Sequence, residues 1–361
     1  MGEAIRILLL ADTHLGFDLP TQTRIRRRRR GHDFLANYAR ALQPALERRV
    51  DLVVHGGDVF NRSRPHASIA YQAFEPLTRA ADAGVPVYIV PGNHERGRLP
   101  HLRFARHPGI HVFDSPKTFV VNVRGMRIAL AGFPSERDAV RASFGDLMKQ
   151  TDWHAVPADV RFLCLHQCVE GATVGPANYT FTTAPDVIRA QDLPAGFAAI
   201  LSGHIHRHQV LTHDLRRRPL VAPVLYPGSI ERTSVAEADE DKGYLIVDVP
   251  HEPQTAPISW TFHQLPARPL LVRELHVEHV EPDDVRHALE SLVHEAPSDA
   301  VLTIRVIGQI NPEVSRLLSA ARLRDLAPDT MNIELRLPNR QDSAPSARPS
   351  RDATVLELPL L

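Results

Sequence analysis

The sequence predicts a mixed α/β fold: a β-sandwich flanked by helices, followed by a small α+β unit. Three features carry that expectation. Short apolar runs alternate with helix-patterned segments through the first two thirds of the 361 residues. Several of these runs are apolar at every position, as strands covered on both faces are. The later runs follow one another without long helices between them, so a purely parallel sheet, which needs long crossovers, does not fit.

Taken in order, Ile5 to Leu10 reads as the first buried strand. Asp33 to Arg49 follows with helical apolar spacing at Phe34, Leu35, Tyr38, Leu42 and Leu46. Leu52 to Val54 is the second strand, Tyr71 to Ala83 a helix closing near Gly84, and Val85 to Val90 the third strand. Ile128 to Ala131, Phe162 to Leu165 and Ala198 to Leu201 continue the buried series. Pro219 to Tyr226, Gly243 to Val249 and Ile258 to Leu265 are strands without helices between them. These segments form one domain, residues 1–267. A second, residues 268–340, has the order strand (Leu271 to Val277), helix (Asp283 to His294), strand (Val301 to Ile307), helix (Glu313 to Leu326), strand (Met331 to Leu337). That is enough for a small α+β domain. Residues 341–361 read as a Pro/Ser linker with an apolar tip, Val355 to Leu361.

Composition narrows the class. Hydrophobic residues at 43% and charged residues at 23% fit a soluble globular enzyme and argue against disorder. No apolar run approaches the ~20 residues of a bilayer span, and no small-residue cleavage site follows the first apolar run, so neither a membrane span nor a signal peptide is expected. Two cysteines, Cys164 and Cys168, build no disulfide framework and favour a reducing cytoplasm. The 42 cations balance 42 acids, which at face value speaks against a nucleic-acid partner. That average joins unlike halves: residues 1–110 hold 17 arginines against 10 acids, residues 270–340 hold 8 against 12. Only Lys117, Lys149 and Lys242 are lysines; arginine's planar fork suits bidentate phosphate contacts. Any nucleic-acid contact is therefore expected on the first domain.

Ligand-type residues follow the strands directly. Asp12 and His14 follow the first, in ADTH; Asp58 follows the second, in GGDVF; Asn93 and His94 follow the third, in PGNHE. His166 follows Phe162 to Leu165, and His204 and His206 follow Ala198 to Leu201, in SGHIH. Taken singly, each is an ordinary polar turn. Five strand ends delivering carboxylates, an amide and imidazoles to one sheet edge mark the place where open α/β sheets bind ligands. This donor mixture suits manganese, iron or zinc. The candidates exceed one ion's needs, and a shared carboxylate would hold a pair ~3.5 to 4 Å apart, the arrangement that drives in-line phosphoryl displacement. Glycines before Asp58, Asn93 and His204 allow tight turns and close approach. His55 reads as a core histidine bonded to backbone.

The series Asp-x-His, Gly-Asp, Gly-Asn-His, His, Gly-His-x-His over residues 12–206 resembles the signature of the calcineurin-like metallophosphoesterases. ADTHLG, the Arg-rich segment before the helix leading into DLVVHGGDVF, LHQ around His166, and YPGSIERTS followed by KGYLIVDV are similar to the SbcD-type DNA repair nucleases within that family. The resemblance implies a metallophosphoesterase-type sandwich with a capping domain at 268–340. It implies two divalent ions, manganese by family preference, one held by Asp12, His14, Asp58 and His206 and the other by Asp58, Asn93, His166 and His204. His94 would face the scissile phosphate and assist, with a metal-bridging hydroxide as nucleophile. DNA as substrate, exo- and endonuclease action, an SbcC-type ATPase partner and a homodimer are implied in the same way.

Two departures from the family pattern stand out. Glu95 replaces the usual Asp after the catalytic-type histidine, which is expected to alter a contact behind the ligands. SbcD-type nucleases generally reach their ATPase through a helical segment beyond the capping domain, where this chain has the linker and tip. The ATPase is therefore reached through that tip, reached otherwise, or absent. Arg24 and Arg26, Arg27, Arg28, Arg29 and Arg30 form a cluster suited to a phosphate backbone, and Arg62, Arg64 and Arg96 follow the metal motifs as candidate channel contacts. A stand-alone metallophosphoesterase acting on a small nucleotide-like phosphodiester is the alternative to the nuclease.

Overall fold

The structure, a computed structural model, describes residues 4–20, 28–100, 106–137, 139–252 and 257–338. The chain divides into two compact units between Leu270 and Leu271.

The first unit opens with strand-helix alternation: β1 (Ile5–Leu10), α1 (Arg30–Leu46), β2 (Leu52–His55), α2 (Ala67–Asp82), β3 (Val87–Ile89) and β4 (Ile110–Val112). The helix expected to run to Arg49 stops at Leu46, because Arg48 turns into the left-handed region with φ 55° and its neighbour Arg49 bonds back to the Pro44 carbonyl. A two-residue turn, Arg124 and Gly125, both at positive φ, joins β5 (Lys117–Val123) to β6 (Met126–Gly132) as a hairpin. Helix α3 (Val140–Gln150) and β7 (Val160–His166) follow, then four two-residue strands, β8 (Cys168–Val169), β9 (Thr173–Val174), β10 (Tyr179–Thr180) and β11 (Val187–Ile188). The unit closes with β12 (Ala199–Gly203), β13 (Gln209–His213), β14 (Pro219–Tyr226), β15 (Gly243–Val249) and β16 (Ser259–Gln264).

Two six-stranded sheets result, ordered β16-β15-β1-β2-β3-β4 and β13-β14-β12-β7-β6-β5. Both are mixed. β1, β2, β3 and β4 run parallel while β15 and β16 join antiparallel; β6, β7, β12 and β14 run parallel with antiparallel β5 and β13 at the edges. The alternation of side chains along β1 shows how the layers form. Ile5, Ile7 and Leu9 enter the cluster shared with Phe162 and Leu201 of the other sheet, whereas Leu8 and Leu10 pack with Phe34, Tyr38 and Phe74 of α1 and α2. Helix α3 covers the second sheet's outer face through Val140, Phe144 and Met148. This is the expected mixed sandwich flanked by helices. No helix among the described residues is long and apolar enough to cross a membrane.

The second unit is a three-stranded sheet ordered β17-β18-β19, from β17 (Leu270–His276), β18 (Val301–Ile307) and β19 (Asn332–Arg336). Helix α4 (Pro282–His294) lies between the first two in sequence. The single helix expected over Glu313 to Leu326 is two, α5 (Pro312–Leu317) and α6 (Ala320–Leu326). Ser319 causes the break: it adopts extended backbone and its side chain accepts from the Arg322 N–H, capping α6. The 341–361 linker and tip lie outside the described residues.

Candidate metal centre

The parallel strands place their carboxyl ends at one edge. Leu10 pairs with His55, His55 with Ile89, and His166 with Gly203, so the loops that follow emerge side by side. The loop after β1 carries Asp12 and His14, that after β2 carries Asp58, that after β3 carries Asn93 and His94, and β7 ends on His166. His204 and His206 follow β12. All seven sequence-expected ligands and His94 are brought together.

Asp58 lies at the middle. Its Oδ2 is 3.4 Å from His166 Nε2, 3.8 Å from His14 Nε2 and 3.9 Å from His94 Nε2. On one side, His14 Nε2 and His206 Nε2 are 3.0 Å apart, and Asp12 joins them in a cluster of ligand atoms spanning at most 4.8 Å. On the other, the Asn93 side-chain oxygen is 2.9 Å from His166 Nε2 and 3.0 Å from His204 Nδ1.

Hydrogen bonds behind the rings decide which nitrogens face inward. His166 Nδ1 is 2.7 Å from the Gly56 carbonyl, which can only accept, so Nδ1 carries a proton and Nε2 points at Asp58 and Asn93. Burial disfavours charge on His166, yet the Asp58 carboxylate outweighs it and raises the pKa to about 9. The converse holds for Asp58: burial raises its pKa, but His166 and the neighbouring imidazoles hold it well below the usual range. Burial, reinforced by His166, pushes His204 down to about 3. His14 Nδ1 is buried and has no hydrogen-bond partner among the described residues.

Close approach explains two glycines. A Cβ at Gly92 would overlap the Asp58 carboxylate, and one at Gly57 would overlap the His166 ring; Gly57 also has φ 104°. Glu95, singled out in the sequence, turns both carboxyl oxygens to the backbone. Its buried carboxylate accepts from the backbone N–H groups of Asp58 (3.1 Å), Phe60 (2.8 Å) and Gly92 (2.8 Å), joining the loops that carry Asp58 and Asn93. Burial and the charge of Asp58 push it up to about 8. His55 has the structural role read from the sequence. Its Nδ1 accepts from Gly57 N–H and its Nε2 is 3.1 Å from Thr13 Oγ1, so it braces the Asp12 and Asp58 loops against each other.

His94 differs from the seven candidate ligands. Its backbone N–H donates to Asp58 Oδ1 at 2.9 Å, its Nδ1 is 2.8 Å from the Asn61 carbonyl, and its side chain remains 29% exposed. Nε2 therefore faces the centre from its open side. An open cavity of about 580 Å³ adjoins Asn61 and is lined by Arg29, Arg62 and Arg64. Of the arginine candidates, Arg24, Arg26 and Arg27 lie outside the described residues. Arg28 is paired with Asp33, Arg29 with Asp18, and Arg30 with the Arg232 carbonyl. Arg62, Arg64 and Arg96 are exposed.

The donor set fits divalent ions. Nitrogen and oxygen lone pairs converge with few protons between them, and separations near 3 Å are the edge lengths of an octahedron with bonds of about 2.1 Å. The sandwich and this donor set are the arrangement that metal-dependent phosphoester hydrolysis requires. Residues 5–208 match the calcineurin-like phosphoesterase family, and the chain belongs to that family. Over 250 residues it is 26% identical to the DNA double-strand break repair protein Mre11 of Thermoplasma acidophilum, covering 66% of this chain and 61% of that one. The Methanocaldococcus jannaschii Mre11 protein is 29% identical over 250 residues, with the same two shares, 66% and 61%. The SbcD component of nuclease SbcCD from Bacillus subtilis is 26% identical over 275 residues, covering 68% of this chain and 66% of that one. The matched region spans about three fifths of the length of the two Mre11 relatives.

Proposed function

We propose that this chain is a two-metal DNA nuclease of the Mre11/SbcD kind, hydrolysing phosphodiester bonds. The observation that carries the reading is Asp58, whose carboxylate sits between two donor sets: Asp12, His14 and His206 on one side, and Asn93, His166 and His204 on the other. A pair of divalent ions, manganese in this proposal, supplies charge neutralisation at the phosphate and activation of water. The chain's own contribution is orientation and proton transfer. With Nδ1 engaged by Asn61, His94 offers Nε2 to the phosphate or the leaving oxygen. Arg62 and Arg64, lining the adjoining cavity, contact the DNA backbone, with Arg96, Arg24 and Arg26 to Arg30 as further candidate contacts.

An SbcC-type ATPase partner, a homodimer and the second unit as a capping domain belong to the same proposal, supported by the family resemblance, and the partner also by the name of the SbcCD relative. Two free, buried cysteines support a reducing cytoplasm. Cleavage of linear duplex, hairpin DNA and a chromogenic phosphodiester, assayed side by side with manganese and with chelator, tests the reading. Manganese-dependent DNA cleavage is the expected outcome. Turnover of the small diester with no cleavage of either DNA would instead establish the stand-alone phosphoesterase.

A further inference from the structure

Behind His206 lies a buried chain of alternating charge. The Lys242 side chain is fully buried, and its three ammonium protons have three acceptors: Glu237 Oε2 at 2.6 Å, Glu240 Oε2 at 3.0 Å and the His206 carbonyl at 3.0 Å. Arg207 extends the chain, its Nε 3.1 Å from Glu240 Oε1. At the other end Glu237 Oε1 is 3.1 Å from His206 Nδ1 and accepts from the Thr233 hydroxyl at 2.6 Å. Glu237 thus has one oxygen on the lysine and the other on the imidazole, and it cannot turn away from the ring without depriving a buried ammonium of one of its three acceptors.

We propose that Glu237, locked by Lys242, is a positioning residue for His206. Its carboxylate accepts a hydrogen bond from Nδ1–H, so the proton stays on Nδ1, the ring's tautomer is fixed and the Nε2 lone pair is left free for the ion shared with Asp12 and His14. The inference rests on the two-metal reading above and deepens it. Its physical basis is the carboxylate–histidine arrangement, in which the outer partner sets ring orientation and raises ligand basicity. His206 is held at a second point as well, because its carbonyl accepts from both Lys242 Nζ and the Ser229 N–H. The main chain and the ring of this one ligand are therefore both held by the segment 229–242.

A purely structural ion network would leave the ion unaffected once stability is restored, and this separates the two roles. Glu237→Ala alone removes one of the two carboxylates that face a buried ammonium and destabilises the fold. Replacing the two together, Glu237→Leu with Lys242→Met, removes both charges at similar volume and leaves Glu240 paired with Arg207, a change that buried ion pairs often tolerate. The full chain carrying both changes is titrated with manganese, and its imidazole nitrogens are observed by NMR without metal. The expected result is one of two ions bound about 10- to 100-fold more weakly, the other unchanged, and a His206 ring no longer confined to the Nδ1–H tautomer. Two ions at parental affinity with the tautomer retained would overturn the proposal. Parental protein that binds no manganese would overturn the two-metal reading instead, and the tautomer measurement on metal-free protein would still decide whether Glu237 orients the ring.

Discussion

Glu95→Gln tests whether the carboxyl joining the two metal-bearing loops matters because of its acceptor geometry. Oε2 accepts from Asp58 and Gly92, and Oε1 from Phe60. Both oxygens of a carboxyl accept whether it is charged or neutral, whereas an amide nitrogen cannot. The best glutamine rotamer keeps its oxygen on Asp58 and Gly92 and turns its NH2 group against the Phe60 N–H. One buried donor loses its partner, a penalty of about 1–3 kcal/mol. At roughly 2–4 °C per kcal/mol for a domain of this size, melting of metal-free protein should fall by about 2–12 °C. Glu95→Ala strips all three donors and should lower it further. Calorimetry gives the melting temperature, and manganese titration shows whether the Asp58 and Asn93 loops still bind. A Glu95→Gln protein melting within about 1 °C of the parent and binding both ions normally would refute the reasoning.

His94→Ala and Asp58→Ala should fail differently. The first should lose about 10²- to 10⁴-fold in phosphodiester cleavage while metal content stays near two ions, and the second should lose both ions; elemental analysis beside activity distinguishes them. In chelator, the melting temperature should fall as pH rises from about 6.5 to 9. Burial opposes charge on His166 but Asp58 raises its pKa to about 9, so its contribution is full below the ordinary value and is lost as pH rises through the raised one. Burial and Asp58 raise Glu95 to about 8, which gives the same sign. Saturating metal, which replaces the proton on His166 Nε2, should remove the imidazole's part of that slope, and a flat profile in chelator would contradict the assignment. Replacing Arg62 and Arg64 together by alanine should weaken DNA binding and reduce its salt dependence by up to about two phosphate contacts. An unchanged salt slope would remove both from the interface.

The candidate centre is legible in the sequence because its donor residues sit at the ends of buried strands, where a short local pattern reports both the strand and the loop after it. Asp12, Asp58, Asn93, His166 and His204 need no long-range information to be found. Glu237 and Lys242 do. In EADEDKG they look like a solvated acidic run, and only the return of residues 229–242 to His206 shows that the lysine is buried. Edge strand β5 gives a weaker signal, because its apolar run is only Phe119 to Val121 and most of its side chains are at best partly covered. Charge counting does not show internal pairing: Arg28, Arg29 and Arg30 each have a partner within the chain that the sequence does not reveal.

The backbone at the centre adds a reason for these residues to await a cation. Asp12, His14, Asp58 and His204 have φ of 51°, 41°, 51° and 84°, in the left-handed region that non-glycine residues occupy rarely. Each such residue costs of order 1–3 kcal/mol, and the surroundings must impose it. The imposing contacts are visible: the backbone N–H of His204 is held by both oxygens of Asp12, and the N–H groups of Asp12 and His14 by the carbonyls of Gly57 and Asp58. The same loops bring donor atoms close together, the Asn93 oxygen to His166 and His204, and His14 to His206. Neighbouring acceptors without protons repel, so the arrangement favours whatever positive charge enters it. A proton on His166 partly meets that demand in the metal-free chain, and two divalent ions meet it at every donor at once.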